Sequence, residues 1–450
     1  MFSVSEIAKL VDGRLLRCVE ETPERVIHDS RLVQEGDLFV ALKGERTDGH
    51  AFLDEAFARG ACAAIVSDRE AIPEAGRNVI CVKNSLQALW ALAAAWRKEL
   101  SATFVGITGS CGKTTTKGLL AHLLKDDFHV FAAPESFNTE IGLPLALLGV
   151  PTSAEVGVFE VGANAPGEIA ALSALLSPQI AILTMVGRTH LEGFGDFETV
   201  AKEKWELVRA LPSDGTVVVN VDCPELAPFV KSEKRLLVSF GLESGMVRGA
   251  ITRSVPNLHV KIAEPPLGLI CPLIGRHNAT NLLGAVSCAL HLGVPPQTIE
   301  ERVATFEPVS HRLQLLRVPF GYLLDDTYNS NPEATRAALR VLAELDVPVE
   351  RRAFVFGDML ELGEESPRFH RDILELTLQL GVSPIFPVGE HATRVAEEVM
   401  TRVPSGTFIL ARREELADHI KKELQGKQNL LLVKGSRRLG LEHLVEQLSD

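Results

Sequence analysis

The sequence predicts an α/β protein of three domains, and three observations carry that prediction. Apolar, β-branched runs alternate with amphipathic segments of 3.6-residue spacing along most of the chain, the pattern of parallel strands covered by helices. A length of 450 residues corresponds to about three domains of roughly 150 residues each. A glycine-rich turn lies between an apolar strand and a helix, as in nucleotide-binding α/β sheets.

Strands are expected at 38–42, 63–67, 103–108, 156–161, 180–186, 216–221, 322–325, 353–356 and 430–433. A helix over 85–100 runs directly into the strand at 103–108, which places the first boundary near Ser101. The second falls at 308–313, after a helix over 296–305 and before a fresh strand. The expected domains are therefore 1–100, 101–310 and 311–450. Between 240 and 270, short β-branched runs and turn residues predict an antiparallel edge on the central sheet.

With 59 acidic against 46 basic residues the formal charge is −13, and no Lys/Arg block stands out, so nucleic acid is not an expected partner. The longest apolar stretches, 88–96 and 143–150, are too short to span a bilayer, and residues 1–12 lack the apolar core of an export signal. Neither a membrane span nor export is expected. The seven cysteines (Cys18, Cys62, Cys81, Cys111, Cys223, Cys271 and Cys288) are scattered and form no C-x-x-C pair, which fits a reducing, cytoplasmic setting.

The strongest local signal is Gly106-Ile-Thr-Gly109-Ser110-Cys111-Gly112-Lys113-Thr114-Thr115, ahead of a helix expected over 116–124. Glycines let backbone N–H groups close around phosphate oxygens, Lys113 neutralises charge and Thr114 can ligate Mg²⁺. A nucleoside triphosphate is the expected ligand. The spacing is the short G-x-x-G-K-T form, and Cys111 reads as a small filler of the loop.

Glu160 closes the apolar run 156–160 at the carboxyl edge of a buried strand, where ligands of open α/β sheets gather. Alone it could be a solvated strand end; beside the phosphate loop, a Mg²⁺ ligand is the better reading. His190 stands in a loop and is by itself either structural or a ligand. Lys204, beside Trp205, could bind a cation only after carbamylation, because an ammonium has no acceptor. Lys202 competes with it. In Gly275-Arg-His277-Asn278-Ala-Thr-Asn281, the asparagines can pair with an adenine edge, although Asn278 could equally cap the following helix. Arg31, Lys43 and Arg46 suit a pyrophosphate or are solvated basic residues near a turn.

These residues, with Asn138 in Ser136-Phe-Asn138-Thr-Glu-Ile-Gly, resemble the Mur ligases, ATP-dependent amide-forming enzymes of peptidoglycan precursor synthesis. The resemblance implies an N-terminal UDP-binding α/β domain, a central P-loop ATPase-like parallel sheet and a C-terminal Rossmann-like domain. It implies ATP and two Mg²⁺ ions: Thr114 and Glu160 on the first, His190 and carbamylated Lys204 on the second. Lys113, His190 and Lys204 are then catalytic. Gly109, Ser110, Cys111, Gly112, Thr115, Asn278, Asn281, Arg312 and Asp326 join Lys113 and Thr114 in binding ATP.

The strings Asp29-Ser30-Arg31 and Lys43-Gly-Glu-Arg46-Thr-Asp48-Gly-His50 are similar to the nucleotide-sugar domain of the later-acting ligases. Ser30, Arg31, Lys43, Arg46, Asp48 and His50 thereby become candidate substrate residues, with Asn138, Asn329, Asn331, Lys434 and Arg437. The strings Asp325-Asp326-Thr327-Tyr328-Asn329-Ser330-Asn331-Pro332, Gly357-Asp358-Met-Leu-Glu361 and Lys434-Gly-Ser-Arg437 look most like the dipeptide-adding branch. The Asp-Asn-Pro-Arg motif of diaminopimelate-adding relatives is absent. The implied reaction joins D-alanyl-D-alanine to a UDP-N-acetylmuramoyl tripeptide through an acyl phosphate, with a monomer expected. A folylpolyglutamate-synthetase-like ligase or a non-catalytic nucleotide-binding protein are the alternatives. The first lacks the N-terminal motifs, and the second would not need Lys113, Glu160 and Lys204 together.

Overall fold

The computed structural model describes all residues except 17, 18, 45, 46, 73–77, 188–190, 427 and 450, and gives only the backbone of 191 and 192. Two expected site residues, Arg46 and His190, lie outside the described residues.

Among the described residues the chain forms three sheets. In the first, β1 (Arg14–Leu15), β2 (Val26–Ile27), β3 (Leu38–Val40), β4 (Ala63–Val66) and β5 (Asn78–Cys81) run in the order β1-β5-β4-β3-β2, parallel except for β1. The second contains β6 (Thr103–Thr108), β7 (Val130–Ala132), β8 (Val156–Glu160), β9 (Ile180–Leu183), β10 (Thr216–Asn220), β11 (Leu236–Gly241), β12 (Val247–Arg253), β13 (Leu258–Ile262) and β14 (Leu267–Cys271). Its order is β14-β13-β12-β11-β10-β9-β6-β8-β7. In the third, β15 (Gln314–Val318), β16 (Gly321–Asp326), β17 (Arg352–Gly357), β18 (Ile385–Val388) and β19 (Asn429–Lys434) lie as β15-β16-β19-β17-β18, parallel except for β15.

Strands β8, β9 and β10 are buried at every position, which is why they read as continuous apolar runs and sit between helical layers. Strands β13 and β14 alternate buried with less buried positions and pair antiparallel, forming the edge expected over 240–270. The chain moves from β6 to β7 and β8 on one side, then crosses to β9 on the other. That reversal opens a crevice at the carboxyl ends of β6, β8 and β9.

One apolar core joins the first two sheets, running from Val4, Leu38 and Trp96 to Phe104, Phe159 and Leu207. Helix Ser85–Glu99 carries the junction: Trp96 Nε1 donates to Val150 O at 3.1 Å, Arg97 Nε donates to Leu176 O at 2.7 Å, and the Arg97 guanidinium lies 3.9 Å from the Phe104 ring centroid. The two faces of the third sheet are covered by separate clusters. Among the described residues no helix is long and apolar enough to cross a membrane. The cysteines described are all free.

Two expected bounds shift for a physical reason. The strand expected over 180–186 ends at Leu183, because the next residues turn to hold the phosphate loop. The helix expected from 116 begins at Lys113, since the loop itself supplies its first turn.

Candidate active site

The crevice deepens into a cavity of about 460 Å³, lined by the phosphate loop, the ends of β8 and β9, helix His277–His291 and the first residues of the third domain. The loop keeps its shape because two positions admit only glycine. Gly109 has φ +151 and Gly112 φ +87, and a Cβ on either would stand 2.0 Å from Thr184 Oγ1 or Asn281 Oδ1 respectively. Thr184 Oγ1 donates to Cys111 O at 2.6 Å, while Ser110 Oγ donates to Gly187 O and accepts from Gly187 N. No side chain caps helix Lys113–Leu124, so the amides of its first turn are left for an anion. Lys113 Nζ donates to Gly109 O at 2.7 Å, and desolvation pushes its pKa down.

Behind the loop, Thr114 Oγ1 donates to Glu160 Oε2 at 3.1 Å and accepts from Arg312 Nη2 at 2.9 Å. Lys117, one turn beyond Lys113, lies 2.9 Å from Glu160 Oε1 but donates its best-aimed hydrogen bond to Ala133 O at 2.6 Å. A hydroxyl and a buried carboxylate side by side at a phosphate loop are the donor set a Mg²⁺ ion takes, and these residues fit one. Among the described residues no three His, Cys, Asp or Glu side chains converge as a metal site.

The two lysines of helix Phe197–Arg209 differ in their surroundings. Lys202 is exposed and paired with Glu198 at 2.8 Å. Lys204 is buried at the cavity wall, 5.5 Å from the Phe194 ring centroid, and Trp205 turns away to stack on Phe229. Burial, followed by the charge of Lys113, lowers the Lys204 pKa to about 7 against the opposing pull of Glu203 and Glu168. Its neighbour Glu203 supplies the cap that Gly167 lacks, accepting from Gly167 N at 2.9 Å and Ile169 N at 2.7 Å.

Asn278 does not cap its helix: its Nδ2 donates to Ile274 O at 2.8 Å, and its Oδ1 accepts from Asn281 Nδ2 at 2.9 Å. Both asparagines line the cavity, as do Thr115, Asn138 and Glu160. From the third domain come Arg312, stacked 3.6 Å from the Tyr328 ring centroid, and Asp326, paired with Lys434 at 2.6 Å. Lys434 also donates to Asn329 O at 3.0 Å, so its ammonium is engaged inside the domain. Asn331 caps helix Pro332–Glu344 through Ala334 N and directs its Nδ2 to Cys111 Sγ at 3.3 Å. Arg437 lies at the rim, 3.1 Å from Glu442.

The first-domain candidates do not line this cavity. Arg31 forks onto Asp29, whose carboxyl it holds at about 2, and Ser30 donates to Glu55. Asp48 accepts from His50 N and faces His50 Nδ1 at 2.6 Å; His50 Nε2 accepts from Ser67 N at 2.9 Å. Lys43 bridges Asp48 through the backbone. These bonds shape the segments that follow β2, β3 and β4.

Sequence reasoning passed over Lys117, Thr184, Glu203, Tyr328 and Glu333. Lys117 had a signal, a lysine on the buried side of a largely apolar helix; Thr184 and Glu203 act through partners that spacing does not reveal.

The comparisons with known proteins follow the same division. The chain matches the Mur ligase family catalytic domain over residues 24–97, the Mur ligase middle domain over 107–289 and the Mur ligase glutamate ligase domain over 311–437. It is 31% identical over 456 residues to the UDP-N-acetylmuramoyl-tripeptide–D-alanyl-D-alanine ligase of Bacillus subtilis, covering 100% of this chain and 98% of the relative. Among solved structures, MurF from Acinetobacter baumannii superposes with a TM-score of 0.86 at 28% identity, covering 100% of this chain and 98% of that one. The MurF ligase of Thermotoga maritima in complex with ADP gives 0.81 at 29%, covering 94% and 97%. On this full-length similarity, the chain belongs to the Mur ligase family.

Proposed function

We propose that this protein is an ATP-dependent ligase that joins D-alanyl-D-alanine to the free carboxylate of a UDP-N-acetylmuramoyl tripeptide, in the cytoplasm and as a monomer. The observation that carries the reading is a single cavity shared by the phosphate loop, buried Lys204 and third-domain residues, in a chain similar over its whole length to such ligases. The proposed units are 1–100 for the nucleotide sugar, 101–310 for ATP and 311–450 for closure and the dipeptide.

A carboxylate is a poor electrophile. Transfer of the γ-phosphoryl group from ATP makes it an acyl phosphate; the neutral dipeptide amine then forms the C–N bond as phosphate departs with the C–O electron pair and takes up the proton the nitrogen loses. Both steps gather negative charge, which Lys113 and the uncapped amides of its helix are placed to stabilise. Thr114 and Glu160 would hold Mg²⁺, and a carbamate on Lys204 with His190 would hold a second ion; such cations supply charge neutralisation and polarise phosphoryl oxygens. Asn278 and Asn281 are assigned to adenine, and Arg312 to phosphate. Loop residues Ser30, Arg31, Lys43, Arg46, Asp48 and His50 are assigned to the nucleotide sugar, and Asn138, Asn329, Asn331 and Arg437 to the peptide substrates. Closure of the third domain over the central one excludes water, which would destroy the intermediate.

Phosphate release by the purified protein tests the reading. Turnover is expected only with ATP, nucleotide-sugar tripeptide and dipeptide together. Hydrolysis indifferent to the dipeptide would overturn it, and a panel of lysine and diaminopimelate tripeptides would identify the acceptor.

A further inference from the structure

Of the acidic side chains lining the cavity, most have partners. Glu160 faces Lys117, Asp326 pairs with Lys434, Glu168 accepts from Asn164 N, and Glu361 is also engaged. Glu333 differs: its Oε2 is buried, and among the described residues none donates to it or forms an ion pair with it.

Glu333 stands in the first turn of helix Pro332–Glu344, on the third domain, and reaches towards the central one. Its Cγ lies 3.5 Å from the point a Cβ on Gly187 would occupy, the same distance as the Cβ of Ser110 in the phosphate loop. A helix N-terminus favours a carboxylate in its first turn, which accounts for the charge being tolerated. It does not account for an oxygen turned away from water with no donor, which is costly. Beside a loop built for phosphate oxygens, a lone carboxylate is also repelled by the ligand that the loop takes. A cation arriving between the two is attracted by both.

The ligase reading, on which this step rests, brings one such cation: the α-ammonium of the dipeptide, which binds charged and whose nitrogen, once deprotonated, must reach the acyl carbon next to the transferred phosphoryl group. We propose that Glu333 is the receptor for that ammonium group, selecting an amine-bearing second substrate and setting its line of approach. Arg437, which also pairs with Glu442, and Arg438 line the same cavity and supply basic groups that the carboxylate of such a dipeptide requires.

The test compares the full-length enzyme with its Glu333→Gln variant, with ATP and tripeptide saturating. The KM for D-alanyl-D-alanine is expected to rise about ten- to hundredfold, the worth of one charge-assisted hydrogen bond, with the KM values for ATP and tripeptide unchanged. A second readout uses the dipeptide analogue with hydroxyl in place of the α-amino group, as a competitive inhibitor. The parent should prefer the amine strongly, Glu333→Gln should bind both alike, and Glu333→Asp should keep part of the preference. An unchanged dipeptide KM, an undiminished preference for the amine, or a defect confined to the Mg²⁺ requirement would overturn the proposal while leaving the ligase reading intact. A parent enzyme that turns over without dipeptide would remove both.

Discussion

Lys204 shows how a single side chain is prepared for chemistry by its surroundings. A lysine at about 7 is half neutral in ordinary buffer, whereas an unperturbed one, near 10.4, is almost wholly charged. Only the neutral amine can add CO₂. Under the proposed carbamylation of Lys204, reactivation of decarbamylated enzyme by bicarbonate is therefore expected to quicken as pH climbs through 7 and to stall below it, since the proton leaves on the alkaline side of the lowered pKa. Lys204→Ala is expected to lose nearly all turnover and to regain part of it with short carboxylic acids, measured as dipeptide-dependent phosphate release. Full activity in that variant would remove position 204 from the site. Glu160 is prepared differently. Lys117, buried at its side, compensates its charge and holds the carboxylate facing Thr114.

Among the elements, the phosphate loop is the most constrained. Gly112→Ala would place a methyl where the Asn281 amide oxygen stands, at a backbone conformation that L-residues avoid. The variant is expected to fold, judged by circular dichroism, yet to lose binding of a fluorescent ATP analogue. Gly406→Ala is the control: φ is +85, but nothing lies within 4 Å of the added Cβ, so it should cost about 1 kcal/mol of stability and leave nucleotide binding intact. Equal nucleotide affinity in the two variants would show that space around position 112 does not matter. The strands that escaped sequence reading include β5 and β11, short apolar runs that periodicity does not separate from a buried helix segment, and others with little periodicity to read. Strands β1 and β2 have two residues each, β7 has three, and β18 contains Pro387. The buried strands of the central sheet were legible because burial on both faces demands uninterrupted apolar runs. At the site, the loop and Glu160 were legible as local patterns, whereas Lys204 competed with Lys202 and was singled out only through the family resemblance. Thr184, Glu203 and Glu333 were not, because each acts on a segment distant in sequence: Thr184 on Cys111, Glu203 on the helix at 168, Glu333 across a domain boundary.

In the whole molecule, the two junctions between domains differ in chemistry. The first and central domains share one apolar core, sealed by Trp96 and Arg97. The central and third domains meet at the cavity through polar contacts, Arg312 to Thr114, Asn331 to Cys111 and the short hydrogen bond between Ser136 and Tyr328, and among the described residues the apolar contribution of the central domain to the third domain's core is confined to Ile274 and the partly buried Val255. Burying apolar area is costly to undo, whereas hydrogen bonds exchange readily with water. A dye pair across the first junction is therefore expected to report a constant transfer efficiency, and one across the second a change on adding ATP and tripeptide. Movement at both, or at neither, would contradict this division. The Arg312–Tyr328 stack, whose two members contact Thr114 and Ser136 of the central domain, also has a pharmacological consequence. A small molecule that wedges beneath the aromatic ring would draw Arg312 away from Thr114 and silence the enzyme without imitating nucleotide or peptide.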